Sequence, residues 1–204
     1  MSHDGKRFWD RHARNYDRSM VLLGRPMARA GDLVASSVAG LGRVLELAAG
    51  TGHITLRLAR AAEQVVATDY ADAMVAALRE RTSGLANVRC ERADLYDLPY
   101  PAGSFEAVVA ANVLHLVPDV PKALAAMRRM TRPGGLLVVP TFCHAETVVS
   151  RTLSRLLTLT GFPGLQRFTS VSFRAALQSA GLEVTRFEVI PGPIPIAYAE
   201  AKSL

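Results

Sequence analysis

A carboxylate and two glycines stand close together in the segment VLELAAGTG at residues 44–52. Glu46 lies four residues before Gly50, and Gly52 follows after one residue. Because glycine has no Cβ, such a turn lets the backbone approach a ligand, and the helical pattern that follows offers free N–H groups at its start. The segment predicts a nucleotide-type site in which Glu46 attracts a cationic group. The alternative is a tight strand-to-helix turn in which the glutamate is incidental or only holds the loop.

The glycine spacing separates the candidate ligands. A dinucleotide fingerprint, G-x-G-x-x-G, requires a third glycine at position 55, where the chain has Thr55. A phosphate-binding loop requires a lysine after its last glycine, and His53 stands there instead. The pattern therefore argues against a nicotinamide-dependent oxidoreductase, which is kept as a rival, and against a phosphate loop.

Polar residues follow the next apolar runs along the chain. Asp69 ends the run at 64–69, near the roughly 20-residue offset of an acid that binds ribose hydroxyls. Asp94 and Asn112 follow the third and fourth runs. Polar residues at the carboxyl ends of parallel strands form a ligand crevice. In the alternative interpretation, Asp69 caps the next helix and Asp94 is an ordinary turn residue.

The elements that must position these residues alternate between strands and helices, which predicts a parallel α/β sheet covered on both faces. Strands are predicted at 43–48, 64–68, 87–91, 105–111, 136–139, 183–190 and 194–201. Helices are predicted at 6–18, 25–39, 52–62, 71–82 and 146–160. Asp119 is predicted to cap a further helix, with Val120, Leu124, Met127 and Met130 on its apolar face and 133–135 at its end. Ser170 is predicted to cap the last helix, which Gly181 closes.

Six segments together resemble one family. They are FWD at 8–10 leading to Tyr16-Asp17, VLELAAGTG at 44–52, VVATDYADAM at 65–74, ADLYDLPYPAGSFEAV at 93–108, NVLHLVPD at 112–119 and RPGG at 132–135. In this order they resemble the class I S-adenosylmethionine-dependent methyltransferases of the small-molecule type, such as the ubiquinone and menaquinone C-methyltransferases, over residues 8–201. Ala48-Ala49 depart from the family, which usually has Gly and then Cys or another small residue there.

The resemblance implies a Rossmann-like, doubly wound, seven-stranded sheet, mostly parallel, with an antiparallel carboxy-terminal hairpin and an amino-terminal helical lid. It implies a single methyltransferase domain over 1–204. Within it, 1–40 would be the lid, 41–140 the cofactor-binding core, 141–181 the acceptor-side cover and 182–204 the closing strands.

The implied cofactor is S-adenosylmethionine, with S-adenosylhomocysteine as product. The resemblance places Glu46 near the methionine end, Asp69 on the ribose diol, and Asp94 with the Leu95 backbone N–H on the adenine. It also assigns cofactor contacts to Tyr16, Ala48, Gly50, Gly52, Tyr70, Met74 and Asn112. His144 and His115 are candidates for a general base near neutral pH, and a loop or packing role is the alternative for each. His12 is a further lid candidate. Arg167 and Arg174 are candidates for an anionic acceptor or for plain exposed charges.

The acceptor is predicted to be small and partly apolar: a quinone, phenol, amine or lipid headgroup. The prediction rests on apolar residues expected over the acceptor side, namely Leu156, Leu157, Leu159, Phe162, Leu165, Ile194 and Ile196, which a dimer surface or plain core would also explain. A protein that binds S-adenosylmethionine without transferring its methyl group, as a regulatory or assembly partner, is the alternative function.

Composition bounds the remaining classes. The chain has 204 residues and a formal net charge of +6, but its arginines are dispersed, so no nucleic-acid partner is predicted. The two cysteines and the absence of ligand spacing predict neither disulfides nor a metal. The amino terminus lacks an apolar signal region and no run is long enough to span a bilayer. A cytoplasmic protein is expected, of undetermined oligomeric state, with contact to a membrane surface compatible with the basic charge.

Overall fold

The computed structural model describes residues 8–10, 24–159, 162 and 164–203. Eight strands form one sheet. They are β1 Arg43–Leu47, β2 Gln64–Asp69, β3 Val88–Arg92, β4 Phe105–Val109, β5 Thr131–Val138, β6 Thr141–Phe142, β7 Leu182–Ile190 and β8 Ile196–Ser203. Their order is β3-β2-β1-β4-β5-β8-β6, with β7 also paired to β8. The first five are parallel, and β5, β6 and β7 each pair antiparallel to β8.

The eighth strand does not change the predicted layout. In β5, Val138 pairs with Glu200, and in β6, Thr141 pairs with Ala197, so both segments follow β8 in one continuous register. β6 is therefore the end of the fifth strand, interrupted at 139–140, where Pro140 has no N–H to donate to a ladder. The predicted doubly wound sheet with an antiparallel carboxy-terminal hairpin is confirmed.

In the part of the chain that the structure describes, six helices longer than one turn cover the sheet. They are α1 Gly24–Ser37, α2 Thr55–Ala61, α3 Asp72–Thr82, α4 Val120–Met130, α5 Val148–Leu159 and α6 Ser170–Ser179. Residues 8–10 are also helical, and most of the helix predicted at 6–18 lies outside the described residues. No helix in the described part of the chain has both the length and the apolar character needed to cross a bilayer.

Two apolar cores lie on opposite faces of the sheet, because successive strand side chains point to opposite faces. One core packs α4 and α6 against Leu45 and Leu47 of β1. The other packs α1 and α2 against Val44, whose side chain points to the face opposite that of Leu45. The alternation along β1 therefore places helices on both sides, as the sequence predicts.

The ends of α4 and α6 show how local sequence sets the helix boundaries. The Asp119 side chain accepts a hydrogen bond from Lys122 N at 2.9 Å, which confirms the predicted cap of α4. The prediction that 133–135 end this helix is wrong, because α4 already ends at Met130 and β5 begins at once. The predicted cap at Ser170 is also wrong: Thr169 caps α6 in a reciprocal pair with Ser172.

The apolar residues of α5 divide between the protein interior and the surface. Leu153 and Leu157 pack against the second core, whereas Val149 and Leu156 are exposed. The buried side of the helix carries Ser150 instead, which exchanges hydrogen bonds with Thr147 at the start of the helix. A hydrophobic count alone did not show which side of this helix faces the protein.

Candidate functional site

A crevice of about 630 Å³ opens where the strand order changes direction. β1 lies between β2 and β4, so the chain winds first to one side and then to the other, and ligands bind at such switch points. The crevice brings together seven residues that the sequence assigned to a cofactor: Ala48, Gly50, Asp69, Tyr70, Met74, Leu95 and Asn112.

The backbone at the mouth of this crevice adopts the left-handed conformation at three positions. Gly50 has φ +57°, Ala48 has φ +52° and Asn112 has φ +55°. Alanine pays on the order of 1 kcal/mol in this region, so the fold sustains local strain at Ala48, where the resembled family usually has glycine. Strain of this kind concentrates at functional sites. It turns the ends of β1 and β4 so that backbone lines the cavity.

Asp69 at the end of β2 anchors this turn. Its Oδ2 accepts from Gly50 N at 2.8 Å, and its Oδ1 accepts from Ala71 N at 2.9 Å. The side chain is buried, which raises its pKa, while the backbone N–H groups of Ala71, Gly50 and Tyr70 oppose the rise. A carboxylate oxygen has further lone pairs, so the same carboxylate has capacity left for ligand hydroxyls.

Glu46 lines a second cavity of about 360 Å³ together with Met27, Ala48, His53 and Asn112. Its Oε2 accepts a hydrogen bond from Thr55 Oγ1 at 2.6 Å. Burial raises the pKa of Glu46 to about 8, and the charge of Asp69 adds to the rise against the Thr55 hydrogen bond. Glu46 is therefore mostly protonated at neutral pH. Thr55 stands where a dinucleotide site has its third glycine, so this position serves the glutamate instead.

Ligand binding at Glu46 is expected to depend on pH. A cationic amino group beside Glu46 favours the ionised carboxylate, so binding below about pH 8 expels a proton. The affinity for S-adenosylhomocysteine should therefore increase from about pH 6 towards about pH 8, by up to tenfold per unit. Calorimetry in buffers of different ionisation enthalpy measures the released proton. Glu46→Gln is the matched control and should lose this pH dependence. An equal slope of affinity against pH in both proteins would contradict the pairing of Glu46 with the amino group.

Gly52 lies behind the crevice rather than in its lining. Its φ is +90°, and an added Cβ would lie 2.8 Å from Leu78 Cδ1 in α3. These observations fit a turn glycine with a tight neighbour, and its predicted contact with a cofactor stays a prediction.

The Gly52→Val variant is expected to lose on the order of 3 kcal/mol of unfolding free energy. Both the left-handed conformation and the overpacking against Leu78 contribute to the loss. Gly84→Val is the control, because an added Cβ there meets nothing within 4 Å. Denaturant unfolding measures the difference, and equal midpoints for the two variants would contradict the packing argument.

Asp94 takes part in a short turn after β3. Its Oδ1 accepts from Tyr96 N at 3.0 Å, and its carbonyl accepts from Asp97 N at 2.9 Å. The turn holds Leu95, which is buried, in the crevice wall. The turn role weighed for Asp94 is therefore present, and its contact with an adenine ring stays a prediction.

The amino-terminal helical residues cover the crevice from outside. Trp9 lines it and packs against Ala71 and Met74. Asp10 Oδ1 accepts from Ala73 N at 3.1 Å, which ties this segment to α3. The predicted cofactor residue Tyr16, and His12 beside it, lie outside the described residues.

An aromatic cluster continues from Trp9 to the two histidines. We define the aromatic cluster by its six members: Phe8, Trp9, His115, Phe142, His144 and Phe162. The ring centroids of His115 and His144 lie 5.0 Å apart, and Phe162 stacks on His115 at 6.3 Å. Leu116, the neighbour of His115, lines the crevice. The predicted catalytic histidines are thus brought together beside the cavity.

Both histidines are buried and uncharged at neutral pH. Burial lowers the pKa of His144 to about 4, and the positive charge of Arg167 adds to the effect. Burial, with the charge of His144, also lowers the pKa of His115. Each imidazole is therefore a weaker base than a free one, and a role as general base stays a prediction. Three buried nitrogens lack a hydrogen-bond partner within the described chain: Nδ1 of His115 and both ring nitrogens of His144.

Of the other residues predicted on the acceptor side, one lies near the histidines and the others pack elsewhere in the fold. Arg167 donates to Thr158 Oγ1 at 3.2 Å and acts on His144 through its charge. Arg174 lies over the Phe187 ring, so a packing role is present there. Ile194 and Ile196, proposed as lid residues, are buried in the second core. Sequence reasoning missed Thr55, Met27 and Phe142, since only the fold brings them to Glu46, Asn112 and His115.

One unpartnered atom tests whether a ligand fits the crevice. Asn112 Nδ2 contacts Met27 Sδ at 3.3 Å, but its buried Oδ1 has no hydrogen-bond partner among the described residues. Buried polar atoms are normally satisfied. Asn112 lines both cavities, so an unpartnered acceptor on this residue fits a ligand that brings a donor. Within the described residues, no group of three or more potential ligands could hold a metal ion. The site is a crevice at the switch point of an α/β sheet, lined by carboxyl groups, backbone and apolar side chains.

Comparison with known proteins gives the family. A family model described as "Methyltransferase domain" matches residues 45–139. A demethylmenaquinone methyltransferase of Mycobacterium marinum is 33% identical over 166 residues, covering 79% of this chain and 69% of that protein. A malonyl-[acyl-carrier protein] O-methyltransferase of Halorhodospira halophila is 39% identical over 140 residues, covering 67% and 47%. The chain belongs to the S-adenosylmethionine-dependent methyltransferase family.

A solved structure shows the same fold over the whole chain. It is a SAM-dependent methyltransferase from Thermotoga maritima, described as a possible histamine N-methyltransferase, with a TM-score of 0.78 at 17% identity. It covers 99% of this chain and 100% of that one. The chain spans between about half and about two thirds of the length of the curated relatives that it matches.

Proposed function

We propose that the protein transfers the methyl group of S-adenosylmethionine to a small, hydroxyl-bearing and partly apolar acceptor. One observation carries the proposal: two cavities share Ala48 and Asn112, with Asp69 on the first and Glu46 on the second. A ligand with a ribose at one end and an ammonium group at the other matches this placement of carboxyl groups. The family supports the same cofactor.

The binding residues have distinct tasks in this proposal. Asp69 accepts hydrogen bonds from the ribose hydroxyls, and Asn112 Oδ1 accepts from a donor where the cavities meet. Glu46 ionises against the ammonium group. Leu95, Met74 and Tyr70 provide the apolar wall for the base, and Trp9 closes it. When bound, S-adenosylmethionine supplies a methyl group already activated by its sulfonium, whose leaving group is a neutral thioether.

Placement and water exclusion then carry most of the rate, since in-line approach at roughly 3–3.5 Å already removes much of the barrier. The aromatic cluster excludes water from the acceptor side. The unpartnered nitrogens of His144 and His115 hold the acceptor hydroxyl and draw its proton as it reacts. A low pKa makes each imidazole a weak base, so orientation is the larger part of this contribution.

These properties favour a hydroxylated ring, such as a phenol or a reduced quinone, over the other predicted acceptors. A neutral imidazole pairs well with a hydroxyl group, which both donates and accepts. An ammonium group would pair best with a carboxylate, and Glu146, two residues after His144, directs both of its oxygens to Ser170 N and Oγ. An amine acceptor therefore has less support.

The proposal is tested in two stages. Calorimetry with S-adenosylmethionine, S-adenosylhomocysteine and NAD should show binding of the two adenosyl compounds only. Methyl-labelled cofactor is then incubated with quinols, phenols, amines and phospholipids, and we expect label in the hydroxylated rings. Binding of NAD alone would overturn the cofactor assignment. Binding of both adenosyl compounds without labelled product, from the panel or from cell extracts, would support the regulatory alternative.

A further inference from the structure

Helix α5 presents apolar side chains to solvent. Val148, Val149, Leu156 and Leu159 are all more than half exposed, and Leu159 reaches 84%. Leu165 in the loop after the helix is also exposed. We call these five residues the α5 face. Exposed apolar residues are ordinary when scattered singly, but a contiguous group marks an interaction surface.

The geometry of the helix gathers four of these side chains on one side. At 3.6 residues per turn, Val148, Val149, Leu156 and Leu159 fall within an arc of about 100°, together with the exposed Thr152. Arg151 and Arg155, both exposed, follow on one flank of this arc. An apolar arc bordered by arginines is the pattern of a helix that lies in the interface of a membrane.

The segment that carries the α5 face, between Glu146 and Glu183, has charges of one sign. Residues 147–182 contain four arginines and neither aspartate nor glutamate. Arg167 lies beside the helix and donates to Thr158. This segment therefore attracts an anionic surface rather than a basic or neutral one.

The same charges argue against a second copy of the chain as the occupant. In a two-fold symmetric contact the same patch meets itself. When the two helices pack antiparallel with their arginine flanks on the same side, Arg151 and Arg155 of each copy approach those of the other. In any arrangement, residues 147–182 supply no acid to pair with them. A flat surface rich in phosphate groups has no such conflict.

We propose that the α5 face docks the protein on the surface of a bilayer that contains anionic lipids. The apolar side chains enter the boundary between headgroups and acyl chains, while the arginines contact lipid phosphates. The site lies next to this surface: Leu165 N and Gln166 N donate to the His115 carbonyl at 3.0 and 2.9 Å. Docking therefore brings the aromatic cluster close to apolar molecules held in the membrane.

The experiment measures sedimentation of the full chain with vesicles of equal parts phosphatidylglycerol and phosphatidylcholine, and with phosphatidylcholine alone. We expect binding to the anionic vesicles that weakens with added salt. Arg151→Gln with Arg155→Gln should weaken it about 25-fold, at about fivefold per arginine. Leu156→Ser with Leu159→Ser should also abolish most binding. Arg89→Gln with Arg132→Gln, near the amino ends of β3 and β5, is the control and should bind like the parent.

Three results would overturn the proposal: no binding to anionic vesicles, equal loss in the Arg89/Arg132 control, or a dimer of the parent chain that Leu156→Ser with Leu159→Ser dissociates. Thermal unfolding confirms that each variant is folded. Binding of S-adenosylhomocysteine is measured in parallel and should be unchanged in the α5 variants. Failure of docking is thus distinguishable from failure of the methyl-transfer proposal, which does not depend on it.

Discussion

Replacing Asp69 with alanine is expected to weaken the binding of S-adenosylhomocysteine by about 10- to 150-fold, which corresponds to the roughly 1.5–3 kcal/mol of hydrogen bonds to a charged group. The variant lacks the carboxylate that would contact the ribose. It also lacks the hydrogen bonds that Asp69 accepts from Gly50 N and Ala71 N at 2.8 and 2.9 Å. The turn that lines the crevice would then lose its anchor. Calorimetry on the folded variant measures the effect.

Two companion variants separate binding from folding. Asp32→Ala removes an exposed carboxylate that pairs with Arg57 at 3.3 Å, away from the crevice, and should bind like the parent. Asp69→Asn keeps the size of the side chain and removes its charge, so an intermediate loss is expected. An unchanged dissociation constant in folded Asp69→Ala would remove this residue from the site.

Replacing His144 with phenylalanine is expected to lower kcat for a hydroxylated acceptor by about 100-fold, the lower end of the range for an acid–base residue. The lower end applies because burial already holds the pKa of His144 near 4. Phenylalanine keeps the ring contacts with Phe142 and Phe162 but cannot accept a hydrogen bond. Steady-state kinetics with the acceptor identified by the labelled-methyl screen measure the loss.

His144→Gln is the matched variant, because its amide restores a hydrogen-bond acceptor without a base. Partial recovery of kcat is expected, with unchanged binding of S-adenosylhomocysteine in both variants. Since His144 stays uncharged above about pH 5, its protonation should not reduce the rate of the parent between about pH 6 and about pH 8. Full activity in His144→Phe would show that the histidine only packs.

Periodicity was enough to predict most of the sheet. The apolar runs at 43–48 and 64–68 match β1 and β2 because fully buried parallel strands require continuous apolar residues. The Asp119 cap of α4 followed from a local rule. The boundaries of α6 and β5 did not, since several residues nearby compete for each cap and turn.

The candidate site also has features that local sequence predicts and features that depend on the tertiary fold. Its strand-end residues were predictable, because the ends of parallel strands meet at one edge of the sheet, and Asp69 and Asn112 indeed line the same crevice. The Thr55 hydrogen bond to Glu46 was not predictable, because it depends on the angle at which α2 leaves the glycine turn. Burial that shifts the pKa of Glu46 likewise depends on what packs around it.

The amino-acid sequence by itself determined the order of strands and helices, the family and the polar residues at the strand ends. Each of these depends on local pattern, and local pattern is written directly in the chain. Only the tertiary structure decided that His115 and His144 meet as buried, uncharged rings. It also decided that α5 buries Ser150 and Ser154 and exposes Leu156 and Leu159. Those outcomes depend on tertiary packing, because the segments that bury one another are far apart in the sequence.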